Sequence, residues 1–360
     1  MGEKKRIGLL TSGGDCAGLN AAIRAVVLHA TGTYGWEVLG IREATNGLMS
    51  RPPDTTTFDL ENVDRLLVTG GTVLGTTNKG NPFAFPLPDG TTKDLSQDII
   101  DGYHSLGLDA LIGIGGDGSL AILRKIAQQG GINLIGIPKT IDNDVGATEV
   151  SIGFDTATNI ATEALDRLHF TAASHNRVMI LEVMGRDAGH IALAAGIAGG
   201  ADIILIPEIP YQMEKVCDKI RQRQNMGKNF CLVIVSEAVC TTTGDRVTQT
   251  RSFGEDRLGG IGQYLAEGIA NQTGAETRVT FLGHIQRGGI PSPMDRLLAT
   301  AFGVAAVDLI AEGKFDRMVA WQNRQVVDVP IEDAINTYRT VDPEETLVKT
   351  ARGLGICLGD

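Results

Sequence analysis

Short, strongly apolar runs alternate with longer stretches of helical period over most of the chain. The runs Ile7–Thr11, Val38–Arg42, Ala110–Ile114, Asn133–Ile137, Val178–Val183, Ile203–Pro207, Phe230–Val235 and Val279–Gly283 predict strands. Most carry Val, Ile and Leu at successive positions, as strands buried on both faces do when helices cover a parallel sheet. Between them, Leu19–Ala30, Ser119–Gln128, Asp155–Ala173, Ala188–Ala198, Met213–Asn225, Ile261–Asn271 and Pro293–Glu312 predict helices. Strand alternating with helix builds βαβ units and an open α/β sheet. The rhythm runs in two halves that meet near residue 150. The expected fold is therefore α/β, two doubly wound open-sheet domains with the active site in the cleft between them. Ligands in such sheets bind beyond the carboxyl ends of the strands. Two polar stretches interrupt the pattern: Thr76–Thr92, read as a loop or hairpin, and Thr241–Asp256, read as a mobile loop.

Composition fits a globular enzyme: 360 residues suit two domains, and 42% of them are hydrophobic. Charge narrows the partners. The formal net charge of −11 argues against nucleic acid or an anionic membrane, both of which need a basic face. A small anionic substrate needs only a local group of Arg, Lys and His. The five cysteines show no C-x-x-C pair and no metal-ligand spacing, which predicts free thiols in a reducing compartment. With no signal-like core and no run of ~18 apolar residues, a soluble cytoplasmic protein is expected.

The unusual residues cluster at predicted strand ends. Thr11-Ser12-Gly13-Gly14-Asp15 leads from the first strand toward a helix; glycines there let backbone N–H groups approach a phosphate, and a helix N-terminus favours negative charge. Cys16 follows, read as a packed thiol. Gly113-Ile114-Gly115-Gly116-Asp117-Gly118-Ser119 repeats the arrangement and contains a literal G-x-G-x-x-G. A dinucleotide reading of that motif conflicts with Asp117, whose carboxylate would repel a pyrophosphate unless a cation such as Mg²⁺ lay between. Pro138-Lys139-Thr140-Ile141-Asp142-Asn143-Asp144 follows the next strand. Two carboxylates this close form either a solvated turn or a working site in which one accepts a hydroxyl proton and another serves Mg²⁺. Arg177, Arg186, Arg278, His284 and Arg287 lie at or near strand ends and are candidate phosphate ligands; Glu237 could bind a sugar hydroxyl. There is no G-x-x-x-x-G-K-[ST] phosphate loop. Phosphoryl transfer between small anions is the chemistry these residues support.

The segments LTSGGDCAGLNAAIR, GGTVLGT, IGIGGDGS, PKTIDNDV, GFDTA, EVMGR, AGGAD and LGHIQRGG resemble, in order and over nearly the whole chain, the phosphofructokinases. The resemblance implies Mg²⁺-dependent transfer of the ATP γ-phosphoryl group to the 1-hydroxyl of fructose 6-phosphate. It implies a nucleotide domain at 1–153 with about 286–336 returning to it, and a sugar-phosphate domain at 154–285 with the tail, about 337–360. Asp142 would be the base, with Thr140 on the transferring phosphoryl and Arg186 beside the reaction. Asp117 would serve Mg²⁺ with Asp144 in support. Gly14, Lys79, Gly116, Asp117, Gly118 and Ser119 would hold the nucleotide. Met184, Gly185, Arg186 and Glu237 would line the sugar, and Arg177, Arg278, His284 and Arg287 would grip the 6-phosphate. In the family, Arg177 and Arg278 are expected from a neighbouring subunit, so a homodimer or homotetramer is implied.

Three features depart from the well-known bacterial pattern. Lys139 stands where the bacterial ATP enzymes usually have Gly; lysine there is typical of pyrophosphate users, which usually pair it with Asp at the position of Gly118, and of some mixed-group ATP users. Gly118 leaves room for a nucleotide α-phosphate, which favours ATP, with a pyrophosphate-dependent enzyme as the alternative. Lys79 stands near an expected arginine and lacks its bidentate fork. Leu28 and His169 replace arginines of the regulatory pocket, whereas Arg24 and Lys228 match. A catalytically silent subunit of the same fold is a further alternative.

Overall fold

The computed structural model describes residues 4–58, 60–87, 89–250 and 256–360. The elements that matter here, in chain order, are β1 (Arg6–Thr11), α1 (Leu19–Tyr34), β2 (Glu37–Ile41), β3 (Thr55–Thr57), α2 (Ser96–Ser105), β4 (Ala110–Gly115), α3 (Asp117–Gly130) and β5 (Leu134–Pro138). They continue as α4 (Phe154–His175), β6 (Val178–Val183), α5 (His190–Ala198), β7 (Ile203–Leu205), α6 (Met213–Asn225), β8 (Cys231–Ser236), α7 (Ile261–Thr273), β9 (Thr277–Phe281), α8 (Pro293–Ala311), β10 (Arg317–Gln322) and β11 (Gln325–Pro330). The chain divides into two compact units. The first comprises Met1–Thr140, Asp144–Asp155 and Arg287–Tyr338; the second comprises Ile141–Asn143, Thr156–Gln286 and Arg339–Asp360.

The first unit is built on a sheet of order β11-β10-β5-β4-β1-β2-β3 among the described residues. Its centre is parallel: β1 pairs with both β2 and β4, and β4 with β5. The strands β4 and β5 are buried at every position, as expected for strands covered on both faces. Helix α3 shows why: Leu120, Leu123, Ile126 and Ala127 are buried, three or four residues apart on one face. Because the chain leaves β1 for β2 on one side and returns to β4 on the other, β1 and β4 flank a topological switch point, where open α/β sheets place their ligands.

The second unit carries a four-stranded sheet of order β9-β6-β8-β7. All three pairings are parallel. Its core gathers Ile180, Val216, Ile220, Val233, Leu265 and Ile269, each almost fully buried. The predicted strand at Val279–Gly283 lies two residues earlier, so Arg278 falls inside β9. That strand is an edge with no fully buried residue, and its apolar signal is weak. Within Thr76–Thr92, Phe85–Pro86 pairs with Thr92–Lys93 as a short hairpin. In the stretch Thr241–Asp256, Cys240 bridges Arg246, and Thr248–Thr250 pairs with Asp256–Leu258; residues 251–255 lie outside the described residues.

Candidate active site

The first loop of unit one leaves the carboxyl end of β1. Gly13 has φ +86°, a left-handed conformation that a side chain resists. Its N–H donates to Thr77 O at 3.0 Å, and Thr76 Oγ1 donates to Gly13 O at 2.7 Å. Lys79, an exposed residue, thus follows directly on a segment tied to this loop. Two cations close on the same backbone. Lys139 Nζ donates to Gly14 O, and Arg287 Nη1 donates to Asp15 O at 3.0 Å. A Cβ at Gly14 would come within 2.8 Å of Arg287 Nη1, so glycine there lets the guanidinium approach. Cys16 is fully buried, its Sγ 3.3 Å from Ile152 O, and burial pushes its thiol up to about 12.

The second loop, between β4 and α3, separates two kinds of glycine. A Cβ at Gly113 would meet Leu123 Cδ1 at 2.5 Å, and one at Gly115 would meet Ser119 Cβ at 2.7 Å. These glycines let α3 pack on its strand. Gly118 is different: it is exposed, and a Cβ there would meet nothing within 4 Å. The fold does not require glycine at 118. The first helical bond of α3 runs from Leu120 N–H to Gly116 O at 2.9 Å. The N–H groups of Asp117, Gly118 and Ser119 precede it at the helix end, where partial positive charge accumulates.

The turn after β5 is buried. Lys139 N–H donates to Gly115 O at 3.0 Å and Thr140 N–H to Ile152 O at 3.1 Å. Asp142 is 2% exposed and Asp144 1%. The turn is therefore buried and not solvated, and buried carboxylates of this kind are concentrated at functional sites. Asn143, between them, has φ +56°, the left-handed region that most side-chain-bearing residues avoid and that asparagine tolerates best.

In unit two, β6 and β8 end side by side, with Val183 opposite Ser236. Their extensions form one cluster. Arg186 N–H donates to Glu237 Oε1 at 3.3 Å, and Glu237 N–H to Val183 O at 2.9 Å. A Cβ at Gly185 would strike Ala188 O at 2.4 Å, which fixes glycine there. Burial pushes the Glu237 carboxyl up to about 7, with the negative charge of Asp142 adding to it. Gln286 was not singled out by sequence reasoning; it is 1% exposed and its Oε1 accepts from Met184 N–H at 2.8 Å, holding that loop from the turn that carries the exposed His284. Glu182 accepts the N–H groups of Gly260 and Gly262 at 2.9 Å and 2.7 Å, so a buried carboxylate anchors the start of α7.

Arg177 and Arg278 lie elsewhere in this unit. Both bond to Glu276, Arg177 Nη2 at 2.9 Å from its Oε1. Arg177 immediately precedes β6, and Arg278 is the second residue of β9. They stand at the opposite end of the parallel sheet from Met184 and Glu237. Six residues of strand separate the two ends, roughly 20 Å. Within one chain these two arginines are not part of the strand-end cluster.

Among the described residues there is no group of three or more His, Cys, Asp and Glu side chains that could hold a metal. Mg²⁺ does not require one: it is commonly bound by one or two carboxylates together with waters and substrate phosphates. Asp117, half-buried in the first turn of α3, offers a hard oxygen donor beside a phosphate-type loop, and Asp144 a second in the same unit. The donor set fits an ion shared with a bound nucleotide.

A family model described as phosphofructokinase matches residues 6–310. Over the full length of both proteins, the chain is 78% identical to "ATP-dependent 6-phosphofructokinase 1" of Synechocystis sp. and 70% identical to the protein of the same name from Nostoc sp.. Among solved structures, the phosphofructokinase of Pichia pastoris in the T-state is similar with a TM-score of 0.81 and 30% identity. That match covers 93% of this chain and 36% of the longer yeast chain. The pyrophosphate-dependent enzyme of Nitrosospira multiformis shares the fold, with a TM-score of 0.83 at 22% identity over 99% of this chain and 93% of that one. Two glycine loops, a buried acidic turn and a strand-end cluster thus coincide with a match running through all of them: the chain belongs to the phosphofructokinase family.

Proposed function

We propose that this protein transfers the γ-phosphoryl group of ATP to the 1-hydroxyl of fructose 6-phosphate, giving fructose 1,6-bisphosphate and ADP. The observation that carries the choice of donor is Gly118. It sits exposed at the end of a phosphate-type loop with open space where a Cβ would be, so its smallness serves a ligand. Full-length relatives named for ATP support the same choice.

In this reading the N–H groups at the start of α3 and the loop at Gly14 hold the donor phosphates, with Lys139 and Lys79 adding charge. Asp142 takes the proton from the 1-hydroxyl as that oxygen bonds the γ-phosphorus and the bond to the β-phosphate oxygen breaks. Thr140 contacts the transferring group and Arg186 offsets its charge. Glu237, Met184 and Gly185 line the sugar; His284 and Arg287 bind its phosphate. Mg²⁺, held by Asp117 with Asp144 in support, would supply charge neutralisation at the phosphates. Arg177 and Arg278, remote from the cluster within one chain, serve a neighbouring copy, so the protein self-associates.

A coupled assay with ATP or pyrophosphate as donor tests this. Turnover with ATP supports it; turnover with pyrophosphate alone selects the second reading, which Lys139 favours. Binding of fructose 6-phosphate without turnover on either donor would identify a silent subunit.

A further inference from the structure

The buried turn Asp142-Asn143-Asp144 contains a left-handed backbone residue, and a side chain from the tail of the chain bonds to its carbonyl. Arg339 is half-buried, and its Nη1 donates to Asn143 O at 3.2 Å. The two residues are 196 positions apart. Asn143 is the left-handed residue of the turn, so its carbonyl direction depends on a conformation that most residues avoid. A charged donor on that carbonyl favours the conformation that presents it.

The segment bearing Arg339 is itself fastened down. His190 Nε2, in the first turn of α5, lies 3.3 Å from Arg339 O. Two residues on, Val341 N–H donates to Glu208 Oε1 at 2.8 Å, and the same oxygen accepts Gly189 N–H at 2.9 Å. Glu208 therefore joins the tail to the start of α5. A Cβ at Gly189 would lie 2.4 Å from Ile206 Cβ, so this junction is closely packed. Burial, aided by the Arg339 charge, lowers His190 to about 4; the imidazole is neutral near pH 7 and does not repel the guanidinium.

We infer that Arg339 is a positioning residue for the phosphoryl-transfer step, a tail guanidinium that holds the Asn143 carbonyl and so fixes the direction of the neighbouring Asp142 carboxylate. The inference rests on the reading of Asp142 as the base. It adds a residue outside the span matched by the family model, which ends at 310. Arg339 acts through the turn and not on the substrate, so it should govern turnover more than binding.

The test compares Arg339→Ala and Arg339→Lys in the full-length enzyme. Arg339→Ala should lower kcat about 10–100-fold, the order of loss that slight misplacement of a catalytic group produces. The KM values for fructose 6-phosphate and ATP should change less than about threefold. Arg339→Lys, which restores a cationic donor, should recover most of the loss. In an Asp142→Asn background, Arg339→Ala should cost less than about twofold more, because groups acting as a unit are not additive. A loss of equal size in both backgrounds, or a rise in KM with kcat intact, would overturn the inference. Amide hydrogen exchange of the segment 139–146 gives a readout independent of activity: it should rise about tenfold or more in Arg339→Ala. Unchanged exchange there would also overturn it. If Arg339→Ala does not fold, Arg339→Lys decides alone: wild-type exchange and turnover support the donor role, and the full loss refutes it. If the wild-type protein has no kinase activity, the functional reading fails, while the exchange experiment still judges the tie from Arg339 to the turn.

Discussion

The carboxyl ends of the two central parallel sheets solve different recognition problems with different materials. In unit one the loops after β1 and β4 are rich in bare backbone: Gly13, Gly14, Gly115, Gly116 and Gly118 stand among only two acids, Asp15 and Asp117, and two hydroxyls, Ser12 and Ser119. Backbone N–H groups are the donors such loops offer a phosphate, and two cations from elsewhere, Lys139 and Arg287, bond to the backbone of the first loop. In unit two the loops after β6 and β8 are made of side chains, Arg186, Glu237 and the supporting Gln286. A charged, symmetric phosphate can be held by repeated backbone donors, whereas a sugar with distinct hydroxyls needs individually placed polar groups. The first kind of site is broken by adding atoms, the second by removing them.

Removal at the acidic turn should have the largest effect. Asp142→Asn should lower kcat by about 10²–10⁴-fold, the usual contribution of a general base, with both KM values changed far less; a near-normal steady-state rate would refute the assignment. Addition on the donor side comes next. Gly118→Asp should raise the KM for ATP about tenfold, equivalent to about 1.4 kcal/mol, and leave the thermal midpoint unchanged because the position is open. Its counterpart Gly115→Ala should instead destabilise the fold by about 1–3 kcal/mol through overpacking against Ser119, measurable by urea unfolding. If Gly118→Asp lowers stability as much as Gly115→Ala, the distinction between ligand glycines and packing glycines collapses.

The smallest effect concerns Glu237. Its carboxyl holds its proton up to about pH 7 when folded, against an ordinary value of 4.5. The folded state therefore binds more protons than the unfolded state between those values, and its contribution is present below 4.5 and lost as pH rises through about 7. Glu237→Gln should flatten this decline, seen as urea midpoints that differ less between about pH 5 and about pH 8 than in the wild type.

The sheet centres were legible because β4, β5, β6 and β8 are buried at every residue, so their apolar runs are unbroken. The edges were not. The hairpin of β10 and β11 is only partly buried and mixes charges into its pattern. Helix α2 contains Gly102, which looks like a breaker, yet a Cβ there would lie 2.1 Å from Leu48 O; tertiary contact overrides the local preference. The glycine loops and the acidic turn stood out because their residue types are rare in those combinations. Arg339 did not, since a single arginine in a polar tail has no local signature, and its meaning comes from a contact 196 residues away. The separation of Arg177 and Arg278 from the strand-end cluster likewise emerges only from sheet topology.

The buried thiol beside the first loop has a consequence for oxidative chemistry. With its ionisation pushed up to about 12 by burial, Cys16 stays a neutral thiol at neutral pH, whereas the thiolate is the nucleophile that attacks peroxides and disulfides. The thiol of the first loop is therefore protected from oxidants that react with low-pKa cysteines elsewhere. Labelling by a thiol reagent should fall first on the half-buried Cys240 and Cys357 and leave the loop chemically untouched.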